Sequence, residues 1–281
     1  MIRLVFILLG LVPITNLYAQ MEKTERYHRG WEKLQEIDGE AGQRVINSLE
    51  EISPELARAI IEYSFGEIYC LPTLDNKSKE VVAISSLIAQ GAIPQLKVHL
   101  NGALNCGCSI GEVKEIILQM SVYTGFPKCI NAMNALKEVL HERIGKGLID
   151  PEGEAATNIP PDDKRYATGS DELRLLSEQQ ERLLTDSYGD LAPELIRFTI
   201  EYGYGDIFSR NNLSKRYRQI ATISALATLG TAQPQLAFHI AGALNIGVTK
   251  EEITEIMLLL TVYAGFPAAI NGMNRLKDHM S

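Results

Sequence analysis

The chain has 281 residues, 46% of them hydrophobic and 22% charged, with a formal net charge of -8. That composition buries a substantial core, in one large domain or two of ordinary size. The acidic balance argues against a nucleic-acid partner, because phosphate binding draws on clustered Lys and Arg and the chain has no basic stripe.

In chain order, the first feature is a leader pattern. Arg3 supplies a positive start, Leu4 to Val12 form an apolar run, and Leu17-Tyr18-Ala19-Gln20 offers a small residue at a cleavage point. Residues 1–19 therefore read as a secretory signal peptide, and the mature protein is expected to be exported, periplasmic or secreted, and free of membrane after cleavage. The run is too short to span a bilayer, and an uncleaved anchor is the other reading.

Beyond the leader, the chain repeats itself. His99-Leu100-Asn101-Gly102-Ala103-Leu104-Asn105 recurs as His239-Ile240-Ala241-Gly242-Ala243-Leu244-Asn245, and Val122-Tyr123-Thr124-Gly125-Phe126-Pro127 as Val262-Tyr263-Ala264-Gly265-Phe266-Pro267. Roughly half the positions from His99 to Lys137 match those from His239 to Lys277 without a gap. Upstream, Glu62 to Tyr69 answers to Glu201 to Phe208, with one residue of slip near Gln233. Self-similarity on this scale implies duplication and fusion, with domains at 40–140 and 176–281.

Each copy reads as helices. Val113, Ile116, Ile117 and Met120 share one helical face, as do Ile253, Ile256, Met257 and Leu260. Ser109 with Glu112 and Thr249 with Glu252 form capping boxes at the starts of those helices. Gly107 and Gly247 end the preceding helices, and Pro127 and Pro267 start the following ones after turns at Gly125 and Gly265. No alternating strand pattern appears. Between the copies, residues 141–175 are rich in Gly, Pro, Asp and Glu and read as a linker long enough to let the copies pack as a pseudo-twofold pair.

Taken in order, Glu67-Ile68-Tyr69, Pro72-Thr73-Leu74-Asp75, the polar helix start Lys77 to Glu80, His99 with Gly102-Ala103-Leu104-Asn105, and Tyr123 to Pro127 resemble carboxymuconolactone decarboxylase domains, and the second copy shows the same series from Asp206 to Pro267. The resemblance covers nearly all of the mature chain except the linker. It implies an all-α fold, a tandem duplication of an alkylhydroperoxidase D-like helical module, and assembly of such modules into a homo-oligomer, here a trimer of two-module chains. It also implies one of two chemistries: decarboxylation of a lactone acid without a cofactor, or thiol-based peroxide reduction.

His99 and His239 alone among the five histidines occupy matched positions, and imidazole suits proton delivery near neutral pH. The same placement also suits a helix histidine bonded to a carbonyl. Glu67 and Asp206 are the candidate acidic partners that would orient the imidazoles, and exposed carboxylates at a helix end are the alternative. Asn105, Asn245, Tyr123 and Tyr263 are candidate substrate-binding groups, though they also suit bonds across the contact between copies, as do Asn131, Asn134, Asn271 and Asn274. A metal site is not expected, since neither histidine has a second ligand at i+3 or i+4. The peroxidase branch would need a Cys-x-x-Cys pair just before the histidine, where Ala92 and Gln95, and Ala232 and Gln235, stand. Cys106 and Cys108 are the alternative redox pair, although an even cysteine count in an exported chain also suits disulfides. The resemblance further implies a basic residue two positions after the histidine, where this chain has Asn101 and Ala241, with Lys97 a substitute in copy one. The favoured reading is a carboxy-lyase acting on a small lactone or carbonyl acid with histidine as general acid. The alternatives are a thiol peroxidase and a non-catalytic binding protein.

Overall fold

The computed structural model describes residues 22–279. The leader expected at 1–19 lies outside the described residues, as does Met280. Among the described residues the regular elements are helical and no strand occurs, as expected for an all-α module in tandem.

Copy one runs α1 (Glu25–Ile37), α2 (Glu40–Glu50) and α3 (Pro54–Ala59), which passes into a π-helical segment Ile60–Phe65 and a tight turn Ile68–Cys70. It continues with α4 (Asn76–Gln90), α5 (Ile93–Asn105), α6 (Ile110–Thr124) and α7 (Phe126–Gly145). Copy two repeats the series as α8 (Arg165–Leu176), α9 (Gln180–Tyr188), α10 (Pro193–Phe198), a π-helical segment Thr199–Phe208, α11 (Lys215–Leu229), α12 (Gln233–Asn245), α13 (Lys250–Tyr263) and α14 (Phe266–Lys277).

Local chemistry sets the boundaries. Both capping boxes are present at the starts of α6 and α13, and α7 and α14 each open with a proline in the first turn. The repeat is longer than the sequence match shows. Asn105 Nδ2 donates to Ile37 O at 2.9 Å and Asn245 Nδ2 to Leu176 O at 2.8 Å, so α1 and α8 are counterparts. The segment 141–175 is consequently not linker throughout, because α7 continues to Gly145 and α8 begins at Arg165. Copy one likewise starts at α1, before residue 40. In both copies the first helix crosses the π-helical segment at a glycine. A Cβ on Gly30 would meet Ile61 O at 2.0 Å, and one on Gly169 would meet Ile200 O at 2.1 Å.

The two copies share one core. α4 and α11 lie against each other, and every residue of α4 from Ser78 to Ala89 and of α11 from Arg218 to Ala227 is buried. A helix buried on all sides is expected to be apolar, yet these carry Lys79, Glu80, Arg218 and Gln219. The two cations among them are satisfied across the pseudo-twofold. Arg218 pairs with Glu115 of α6 at 3.1 Å, where Arg210 joins at 2.7 Å. In the mirrored arrangement, Lys79 pairs with Glu255 of α13 at 3.3 Å, and Glu255 also accepts the backbone amides of Thr73 and Leu74. The tyrosine pairs Tyr63 with Thr261 and Tyr202 with Ser121, each at 2.6 Å, repeat the symmetry.

Removing one partner of such a pair strands the other charge in the interior. Glu115→Ala is therefore expected to lower stability by about 3–5 kcal/mol, read as a drop in the urea midpoint. The double variant Glu115→Leu with Arg218→Met should lose much less, and an equal loss would show that the pair is not what holds the copies together.

Candidate active site

The matched histidines sit at mid-helix on α5 and α12, both buried, and each faces a tyrosine from the other copy. Tyr263, the last residue of α13, meets the His99 ring edge-on at 5.0 Å between centroids, and Tyr123 of α6 meets His239 in the same way at 5.4 Å. The pseudo-twofold thus builds each site from both copies. Apart from those two rings, the sites differ.

In copy one, His99 Nδ1 lies 3.1 Å from Glu80 Oε2 and 3.8 Å from Asp38 Oδ1. Glu80 stands in the second turn of α4, whose start is capped by Asp75 accepting from Ser78 N at 2.7 Å. Asp38 is the residue that ends α1, held there by the Asn105 bond to Ile37 O. Tyr69 OH donates to Glu80 Oε1 at 2.7 Å. Its single proton is thereby committed, so the Tyr263 hydroxyl bonded to it donates to the Tyr69 oxygen. This directed chain leaves Glu80 as an acceptor facing the imidazole. Gly102, one turn beyond His99, makes the approach possible, since a Cβ there would stand 2.7 Å from Glu80 Oε2 and 2.8 Å from Asp38 Oδ1.

In copy two, the position of Glu80 is Gln219, that of Asp38 is Ser177 and that of Tyr69 is Phe208. His239 Nδ1 bonds Gln219 Oε1 at 3.1 Å, and Nε2 faces the Tyr123 hydroxyl at 3.4 Å. The electrostatic consequence is large. Burial alone lowers an imidazole's pKa, and it takes His239 to about 3. The same burial acts on His99, but the Glu80 and Asp38 carboxylates overcome it and hold the group at about 9. Burial also raises Asp38 to about 7, against the pull of His99. Its Oδ1 is buried without a hydrogen-bond partner. Two rings matched in sequence are therefore held in opposite charge states.

Several expected site residues lie elsewhere. Glu67 pairs with Arg26 at 2.7 Å and Asp206 with Arg165, so each ties the first helix of its copy to the chain beyond it and neither has a histidine partner. Asn105 and Asn245 hold the ends of α1 and α8, and Asn105 also accepts from Arg143 at 2.9 Å. Asn131, Asn134, Asn271 and Asn274 are exposed. Tyr123 and Tyr263 do cross between copies. Lys97 pairs with Glu138 on the surface. All four cysteines are free thiols, so the disulfide expectation does not hold in this structure. Burial, with a further push from nearby carboxylates, raises Cys106 and Cys108 each to about 12, the opposite of what a thiol attacking peroxide requires.

Asp38 and Glu80 are the residues that sequence reasoning missed. The available signal for Glu80 was a glutamate that closes a polar helix start directly before the apolar run Val81-Val82-Ala83-Ile84, matched by glutamine in the repeat. Asp38 lies outside the recognisable repeat. One atom from each of Asp38, Glu80 and His99 falls within 4.8 Å of the others, so tertiary structure assembles three metal-ligand types that i+3 and i+4 spacing does not reveal. The cluster borders a cavity of about 390 Å³ between α1, α2, the π-helical segment, α4, α5 and Tyr263, at the small end of the ~300–1,000 Å³ typical of ligand sites.

Residues 54–138 and 193–278, together more than half of the chain, match the carboxymuconolactone decarboxylase family, and the chain belongs to it. It is 31% identical over 123 residues to a 4-carboxymuconolactone decarboxylase of Acinetobacter baylyi, a match covering 43% of this chain and 92% of that protein. It is 33% identical over 88 residues to a nitrosuccinic acid decarboxylase of Metarhizium robertsii, covering 31% of this chain and 62% of that protein. A peroxisomal protein 2 of Saccharomyces cerevisiae is 29% identical over 120 residues, covering 40% of this chain and 42% of that protein.

Histidine NMR across a pH titration tests the asymmetry. His99 should keep both ring protons until about pH 9, while His239 stays neutral down to pH 4, near its value of about 3. The stability linkage has opposite signs. Stabilisation from His99 is full below its ordinary value of 6.5 and is lost as pH rises through about 9, whereas burial of neutral His239 costs stability as pH falls from 6.5 toward 3. Coincident titration of the two rings would refute the charge assignment.

Proposed function

We propose that copy one is a carboxy-lyase needing no cofactor, acting on a small lactone or carbonyl acid with His99 as general acid. The observation that carries this reading is the buried Asp38-Glu80-His99 cluster at the edge of a largely apolar cavity, which holds an imidazole charged at neutral pH. Membership of a decarboxylase family and the names of the Acinetobacter and Metarhizium relatives support it.

The chemistry follows from the charge. As the carbon–carbon bond to the leaving carboxylate breaks, its electron pair passes into the adjacent carbonyl and carbon dioxide departs. The resulting enolate oxygen needs a positive hydrogen-bond donor in a dry site. His99 has Nδ1 engaged by the carboxylates, which leaves Nε2–H as that donor. It then protonates the carbon, becomes neutral and recovers its proton from solvent. Glu80 and Asp38 act as positioning residues that keep the ring charged. His239, neutral and bonded to Gln219 and Tyr123, has no proton to give at neutral pH and is assigned a structural role.

The proposal keeps the exported location implied by the leader pattern. It also keeps a homo-oligomer, supported by the matched apolar residues Phe126 and Ile130 on α7 and Phe266 and Ile270 on α14, all between 57% and 60% exposed. A native mass equal to one chain would remove the oligomer from the reading.

Carbon dioxide release should be screened with a panel of lactone and β-oxo acids. On a turned-over acid, His99→Gln and Glu80→Gln are expected to lower kcat by about 10²-fold or more, with His239→Gln close to the parent. Chelation by EDTA should leave the rate unchanged. Loss of activity that Mn²⁺ or Zn²⁺ restores would instead make Asp38, Glu80 and His99 metal ligands, and no release from any acid would end the carboxy-lyase reading.

A further inference from the structure

The lining of the copy-one cavity limits what can enter it. Its walls are mostly apolar, with Leu34, Ile46, Phe65, Leu87 and Val262 among them, and its polar groups are Asp38, Ser64, Gln90, Gln95, His99 and Tyr263. Among the described residues no Lys or Arg lines it. Arg44, next to the lining residue Val45, does not line the cavity and lies 3.8 Å from Glu40, and two further cations are engaged elsewhere. Lys97 pairs with Glu138, and Arg143 donates two hydrogen bonds to the Asp150 carboxylate as well as bonds to Asn101 and Asn105. The single positive group of the cavity is thus His99, already faced by two carboxylates.

A ligand carboxylate that lost its water here without a cation would stay uncompensated, and the Asp38 and Glu80 side would repel it. One anionic group can be met by the His99 Nε2–H. A second has no partner, whereas an apolar body fits the remaining wall. Gln95 and Ser64 offer neutral hydrogen bonds suited to a carbonyl or hydroxyl oxygen, whereas the Gln90 amide already donates to Tyr263 O at 2.8 Å.

We propose that the copy-one cavity takes a small molecule with an apolar body and at most one anionic group, and that it rejects polycarboxylic acids. The inference rests on the carboxy-lyase reading for its chemistry, making the substrate an apolar monoacid with a neighbouring carbonyl. Its test does not require turnover. Hexanoate, adipate and 2-hexanone share six carbons and carry one, two and no carboxylates, and none of them has the carbonyl-activated carboxylate that decarboxylation needs.

Isothermal titration of the full chain at pH 7.5 should show saturable binding of hexanoate and 2-hexanone, with adipate weaker by at least about tenfold. Gln95→Arg places a cation at an exposed position on the cavity rim. It should raise adipate affinity by about tenfold while changing 2-hexanone by less than about threefold. Adipate binding to the parent as tightly as hexanoate, no response of adipate to Gln95→Arg, or no binding of any of the three would each overturn the proposal. Discrimination among the probes without carbon dioxide release from any acid would defeat only the carboxy-lyase reading and leave this one standing.

Discussion

The contact between α4 and α11 is the constraint on which the rest of the molecule depends. Each helix is buried on all sides by the other copy as well as by its own, so neither copy has a complete interior alone. The two most deeply buried cations they carry, Lys79 and Arg218, find their counter-charges across the pseudo-twofold, on Glu255 and Glu115. The same contact delivers Tyr263 to His99 and Tyr123 to His239. Fusion of the copies in one chain keeps the cross-contacts in place without a concentration-dependent dimer. The intervening segment is itself docked, with Pro151 O and Glu152 O accepting from the first amides of α6 and with Thr157 N donating to Asn211.

A duplicated scaffold permits the sites to diverge because the scaffold needs only one kind of packing. Exchange of glutamate for glutamine at the Glu80 and Gln219 positions preserves shape and a hydrogen bond to the histidine, at 3.1 Å in both copies. What it removes is the anion that offsets desolvation of a charged ring. Serine at 177 and phenylalanine at 208 remove the rest of the acidic network. The outcome is one imidazole at about 9 and another at about 3 within the same architecture. Each histidine still meets a tyrosine from the opposite copy, so the two differently charged sites share one set of cross-copy contacts.

The acidic network also adds to the effect of burial on the Cys106 thiol. Cys106 follows Asn105 at the end of α5, where burial disfavours a thiolate and the charges of Glu80 and Asp38 act in the same direction. A cluster that stabilises an imidazolium destabilises a neighbouring anion by the same Coulomb interaction. The same carboxylates thus favour a charged His99 and disfavour a Cys106 thiolate, and they stand on helices distant in sequence from one another.

The repeat, the helical class, the capping boxes and the paired histidines and tyrosines were legible in the sequence, because hydrophobic period, cap chemistry and internal matching act over a few neighbouring residues. The family was legible for the same reason, as an ordered series of short motifs. Contacts over longer separations were not. Asp38, Glu80 and His99 stand on three different helices, Tyr263 comes from the other half of the chain, and no local spacing relates them. Glu67 and Asp206 looked like acidic partners because they are matched, but matching records common descent, whereas a pKa depends on which charges are close and how much water is excluded. Only the folded chain decided that one histidine is surrounded by carboxylates and the other by an amide.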